Sequence, residues 1–159
     1  MWWRQKLHNR EMSYEQWILA LCLFREARGS SKPALMAIRA VIENRVNDAS
    51  HRWPKSIPAV ITQKSQFSSF MAGDPNATKF PLPPIPPNIQ GSPDWTSWLD
   101  CVDVASTPLG ADPTNGANGY VSLVKDPASG ELVIPPGATA WATPERQTCA
   151  VGPFRFFRV

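Results

Sequence analysis

The placement of its prolines constrains this chain more than any other feature. Seventeen of its 159 residues are proline, which favours long ordered loops over long regular elements. Residues 71–93 hold seven of them, among them Pro81, Pro83, Pro84, Pro86 and Pro87, with no hydrophobic periodicity between. Such a stretch takes an extended, polyproline-like path. A loop of that length inside a compact domain is usually either functional or disordered. It reads as a flap over one side of a cleft, with a proline-rich ligand for another protein as the alternative. Pro33, Pro58 and Pro93 each open a helical pattern, a position where the missing N–H costs nothing.

Between these prolines the apolar spacing is helical. Ser13 followed by Gln16 is a capping box, so a helix starts at Tyr14. Trp17, Ala20, Leu21, Phe24 and Ala27 then form one buried stripe. Gly29-Ser30-Ser31 ends that helix near residue 28. A second helix begins at Pro33 and carries Leu35, Ile38, Val41, Ile42 and Val46 to about residue 47. A short third helix runs from Ile57 to about Lys64. A fourth starts at Ser92 and Pro93, with Trp95, Trp98, Leu99, Val102 and Ala105 inward and Asp94, Asp100 and Asp103 on its solvated face. Asp112-Pro113-Thr114-Asn115-Gly116 is turn chemistry. Tyr120–Val124 and Glu131–Ile134 flank Asp126–Gly130, which predicts a small hairpin. Phe154, Phe156 and Phe157 in the tail pack on the core. The chain therefore reads as one α+β domain, mainly α, over residues 1–159. It has a polar lead at 1–13, carrying Trp2 and Trp3, and the Pro-rich loop at 71–93.

Charge narrows the partners. The net charge is +3 and the pI near 8.9, a mildly basic balance that suits an anionic polymer. No Lys/Arg-rich run is present, so nucleic acid is not the expected partner. No apolar run is long enough to span a bilayer, and no membrane insertion is expected. The first ten residues lack an apolar segment behind their charges, so no cleavable signal peptide is read. Cys22, Cys101 and Cys149 are odd in number and far apart, as in a reduced set, with Cys101–Cys149 the one bridge the sequence leaves open. His8 and His51 have no ligand spacing with each other or with a cysteine, so no metal and no cofactor are expected. Nucleophile-elbow and phosphate-loop motifs are missing too.

One carboxylate is set apart from the rest. Glu26 lies at the end of the apolar first helix, on the side of Leu23 and Cys22 and just before Gly29. Burial and the negative end of the helix dipole both favour a protonated carboxyl there, which is what a general acid needs. A plain ion pair with Arg25, Arg28 or another basic residue is the competing reading. Glu43, near the end of the second helix, is a second carboxylate for which a surface or ion-paired role is read.

Five blocks in series then speak together: Glu-Ala-Arg-Gly (26–29), Ala-Ile-Arg-Ala-Val-Ile-Glu-Asn-Arg-Val (37–46), Gln-Phe-Ser (66–68), Asp-Pro-Thr-Asn-Gly-Ala (112–117) and Val-Gly-Pro-Phe-Arg-Phe-Phe (151–157). Their order resembles the cell-wall hydrolase family of the spore-cortex-lytic enzymes, which includes phage endolysins. The resemblance covers about residues 14–159. It implies a lysozyme-like fold and cleavage of peptidoglycan glycan strands between N-acetylmuramic acid and N-acetylglucosamine. The family's catalytic acid maps onto Glu26. Gln66, Phe67, Ser68, Thr114 and Tyr120 fall in the matching blocks as candidate substrate-binding residues. The family usually has a second glutamate after the glycine, where this chain has Ser30. One motivated glutamate without an obvious partner favours a lytic transglycosylase over a lysozyme-type muramidase. A non-catalytic wall-binding module and an interaction protein using the Pro-rich loop are the readings from other classes. The partner implied is bacterial peptidoglycan, met by a monomer. With no export signal read, such an enzyme is expected in a host cytoplasm, reaching the wall through a holin or an equivalent route.

Overall fold

The computed structural model describes residues 12–64, 66–78 and 93–159. The polar lead, apart from its last two residues, and residues 79–92 of the Pro-rich loop lie outside them.

Among the described residues, four α-helices make the body. Helix α1 is Tyr14–Ala27 and opens on the capping box. Gln16 N–H donates to Ser13 Oγ at 3.2 Å, and Ser13 N–H donates to Gln16 Oε1 at 2.9 Å. Residues 19–24 are all buried, so this helix is the hub on which the others pack. Helix α2 is Lys32–Val46. It begins one residue before Pro33 because Ser31 is its cap, accepting from Ala34 N–H at 3.3 Å. Helix α3, Ile57–Thr62, is capped in the same way by Ser56 and stops short of Lys64. Helix α4 is Pro93–Ser106. Its Trp98 meets Phe24 edge-on at 6.0 Å and Trp17 at 5.9 Å. Its outer aspartates are ion-paired as well as solvated. Lys32 reaches Asp103 at 2.9 Å and Asp100 at 3.7 Å, and Arg28 reaches Asp94 at 3.7 Å.

The second half carries the strands: β1 Gly119–Ser122, β2 Val124–Lys125, β3 Leu132–Val133, β4 Gln147–Val151 and β5 Phe154–Phe157. The expected hairpin is corrected here. It shrinks to the two-residue ladder β2–β3, while Tyr120–Ser122 pairs elsewhere. A three-stranded antiparallel sheet has the order β1-β5-β4, with Gly119 opposite Phe157 and Ser122 opposite Phe154. The reason is burial. Glu131 and Leu132 are exposed and offer β1 nothing to cover Val121, whereas Phe156 and Phe157 are buried. The tail is thus a central strand as well as core packing. Gly152, at φ 54°, turns β4 into β5.

All three cysteines are free, so the Cys101–Cys149 bridge does not form. Among the described residues no helix is long and apolar enough to cross a membrane.

Candidate functional site

A cleft of about 550 Å³ opens between the last turns of α1 and α2, Gln66 and Ser68, and strand β1. Glu26 is in its wall, placed there by the last turn of α1. Both carboxylate oxygens accept from hydroxyls. Ser69 Oγ donates to Oε1 in a short hydrogen bond, and the Tyr120 hydroxyl donates to Oε2 at 3.4 Å. Among the described residues that line the cleft, no other carboxylate side chain is present.

The supports of these two donors are built differently. Ser69 sits in the single 3₁₀ turn Ser68–Phe70 and is buried. Arg25, one residue before Glu26, fastens that turn: its Nη1 donates to the Ser69 carbonyl at 3.4 Å, and its guanidinium lies 4.8 Å over Phe70. Tyr120 is held by the sheet. Phe156 stacks against its ring at 6.0 Å and Phe154 meets it edge-on at 6.1 Å. Burial, and then the neighbouring Glu26 charge, push the Tyr120 phenol well above its ordinary range. The hydroxyl therefore stays a donor at any pH near neutral.

The end of α2 supplies the rest of the wall. Arg45 is buried and donates Nε–H to the Asn118 carbonyl at 2.7 Å. Its guanidinium lies between the Trp53 ring at 4.4 Å and the Phe67 ring at 5.4 Å, within cation–π range of both. Burial lowers its pKa from the ordinary arginine value. Asn44 grips the turn that leads to β1, donating Nδ2–H to Ala117 O at 2.7 Å and to Asp112 Oδ2 at 3.0 Å. Burial raises the Asp112 pKa, but hydrogen bonds from Thr114, Asn44 and Gly116 outweigh it and leave the carboxyl low. Among the described residues no three His, Cys, Asp or Glu side chains gather to hold a metal ion.

A sequence model of the cell wall hydrolase family matches residues 29–133, well over half of the chain. The chain belongs to the cell wall hydrolase family. Among solved structures, it is similar to the catalytic domain of the germination-specific lytic transglycosylase SleB from Bacillus anthracis. The identity is 22%, the TM-score 0.55, and the match covers 94% of this chain and 98% of that one. It is also similar to the catalytic domain of the Bacillus cereus SleB protein, at 21% identity, TM-score 0.54 and 94% of both chains. This likeness is one of fold, the mainly helical, lysozyme-like fold that the sequence blocks implied. Among curated proteins none matches.

Within this cell wall hydrolase, four of the residues singled out by sequence meet in one cleft: Glu26, Gln66, Ser68 and Tyr120. Two do not. Phe67 is 2% exposed and packs beneath Arg45, because an aromatic between two cleft-facing polar residues has to turn inward. Thr114 is fully buried. Its N–H and hydroxyl both donate to Asp112 Oδ1, at 2.7 and 2.6 Å, so it shapes the turn and meets no cleft. Glu43 is ion-paired with Arg39 at 2.9 Å, away from the cleft. Sequence reasoning passed over Ser69, Arg45, Trp53 and Trp141. Arg45 had a signal: it stands four residues after Val41 and seven after Ile38, hence on the buried stripe of α2.

Proposed function

We propose that this cell wall hydrolase cuts peptidoglycan glycan strands at the bond from N-acetylmuramic acid to N-acetylglucosamine, as a lytic transglycosylase with Glu26 as acid and then base. One observation carries the reading. Glu26 is the single carboxylate side chain among the described cleft residues, and a hydroxyl donor holds each of its oxygens. Most hydrolytic glycosidases use two carboxyl groups, one of them as nucleophile or as base for a water. With one carboxyl, the sugar's own C6 hydroxyl serves as the nucleophile. Protonated Glu26 gives its proton to the glycosidic oxygen as the bond to C1 breaks. The carboxylate then takes the C6 hydroxyl proton as that oxygen closes on C1. Ser69 and Tyr120 hold the carboxylate in place for both transfers. Gln66 and Ser68 offer hydrogen bonds to hydroxyl and acetamido groups. Trp53 and Trp141 offer aromatic faces to sugar rings. The description of the Bacillus anthracis domain as a lytic transglycosylase points the same way.

Digestion of purified wall, followed by mass spectrometry of the released fragments, tests the route. Anhydromuramic ends, lighter by one water, are expected. Reducing muramic ends would overturn the transglycosylase route and make the enzyme a muramidase.

A further inference from the structure

Arg45 and Trp53 have unfinished hydrogen bonding in the wall of the same cleft. Arg45 carries five N–H donors. One of them is used on Asn118 O, while Nη1 is enclosed with no partner. Trp53 Nε1 is likewise enclosed and without a partner. Among the described residues no carboxylate pairs with Arg45: the ion pairs join Arg28, Lys32, Arg39 and Arg52 to their acids. Buried donors without acceptors are rare, and a buried cation without counter-charge is costly. The two residues adjoin, since the guanidinium lies 4.4 Å over the indole. Both residues line the cleft, and Arg45 brings to it a guanidinium with no carboxylate in ion-pair contact among the described residues. A neutral acetamido oxygen would accept from the guanidinium but leave its charge. A carboxylate does both.

We propose that Arg45 and Trp53 form a subsite for a carboxylate on the muramic acid side of the glycan. Two groups offer that chemistry, the lactyl carboxylate of a peptide-free residue and a carboxylate of the attached peptide. The proposal rests on the reading of this cleft as the glycan-cutting site.

Binding, measured apart from cutting, tests it. Three soluble tetrasaccharide fragments are titrated by calorimetry into the Glu26→Gln protein: one with its peptides, one stripped to free lactyl carboxylates, and one with those carboxylates capped as methylamides. A charge-assisted hydrogen bond gained predicts a Kd about ten- to a hundredfold lower for a carboxylate fragment than for the capped one. Tight binding of the stripped fragment assigns the lactyl group. Tight binding of the peptide-bearing fragment alone assigns the peptide. Arg45→Gln, introduced beside Glu26→Gln and checked for fold by circular dichroism, should erase the difference. Equal Kd values for all three fragments, or no measurable binding of any, overturn the subsite. So does a folded Arg45→Gln protein that still discriminates. If Arg45→Gln does not fold, the fragment comparison on the Arg45 protein decides alone. The acid assignment fails separately: Glu26→Gln that still releases fragments from wall would remove it without touching the Kd comparison.

Discussion

Two buried arginines stand on one helix, six residues apart, and their surroundings differ. Arg39 is answered on every side. Its Nε and Nη2 donate to Glu43 Oε1 at 3.2 and 2.9 Å, and its Nη1 donates to the carbonyls of Val104 and Thr107 at the end of α4. Arg45 has one carbonyl, two aromatic rings and an unpaired nitrogen. The carboxylates differ in the same sense. Glu43 neutralises an arginine, while Glu26 is held by hydroxyls alone among the described residues. Where a charged pair closes on itself, the region is a brace between helices. Where acid and base are kept apart, each is left with capacity to engage something else. The comparison separates structure from site without reference to any relative.

The strongest way to break it is to neutralise each glutamate. Glu26→Gln should keep the fold and lose at least about 10²–10⁴-fold in rate, the worth of proton transfer by one group. Glu43→Gln should lose less than about threefold, since the amide keeps an acceptor for Arg39. Fragment release from purified wall measures both, and comparable losses would end the distinction. Next comes the brace. Arg39→Met leaves Glu43 and two carbonyls unanswered and should cost about 3 kcal/mol in urea unfolding, at the low end for a broken buried pair because Glu43 is partly exposed. Its activity per folded molecule should not change. If activity collapses while stability holds, Arg39 belongs to the site.

Alkaline pH sharpens the contrast, because the cleft end buries two acids that ionise late. Burial and then the Glu26 charge raise the Cys22 thiol well above its ordinary value, and the same causes raise the Tyr120 phenol. Both stay protonated in the native state after the unfolded chain has released its protons. The unfolded state then binds fewer protons, so stability must fall as pH rises past about 9. The slope from Cys22 is about 1.4 kcal/mol per pH unit. Urea midpoints at pH 7.5 and 9.5 should show the fall, and Cys22→Ala should make it shallower, leaving the share of Cys101, whose thiol burial pushes up to about 12. Within the site, a smaller effect than that of Glu26→Gln is expected of Tyr120→Phe. Its bond to Glu26 is long, at 3.4 Å, so kcat should drop by about tenfold or less. A hundredfold loss would mean that the hydroxyl does more than hold the carboxylate.

What could be read from the sequence follows from how local each signal is. Capping boxes, prolines at helix starts and apolar stripes lie within a few residues of one another, and helices α1 to α4 were legible to within about two residues. Glu26, Gln66, Ser68 and Tyr120 share the cleft that their blocks implied. The sheet was not legible. Tyr120 faces Phe156 across the intervening 35 residues, and no spacing rule reaches that far. Ser69 was passed over for Ser68 because a single 3₁₀ turn decides which of two adjacent serines points inward. Thr114 was misplaced because a hydroxyl that completes a turn looks, in sequence, like one offered to a ligand.

The strand order carries a consequence for the chain as it is made. Synthesis delivers β5 after both β1 and β4, yet β5 is the strand that joins them. Until residue 157 has left the ribosome tunnel, Tyr120 has no Phe156 to lean on, and that wall of the cleft cannot close. A stalled or nicked product lacking residues 154–157 would keep Glu26 and helices α1 to α4, and still be a blunt tool. The cleft is complete only once β5 has been made.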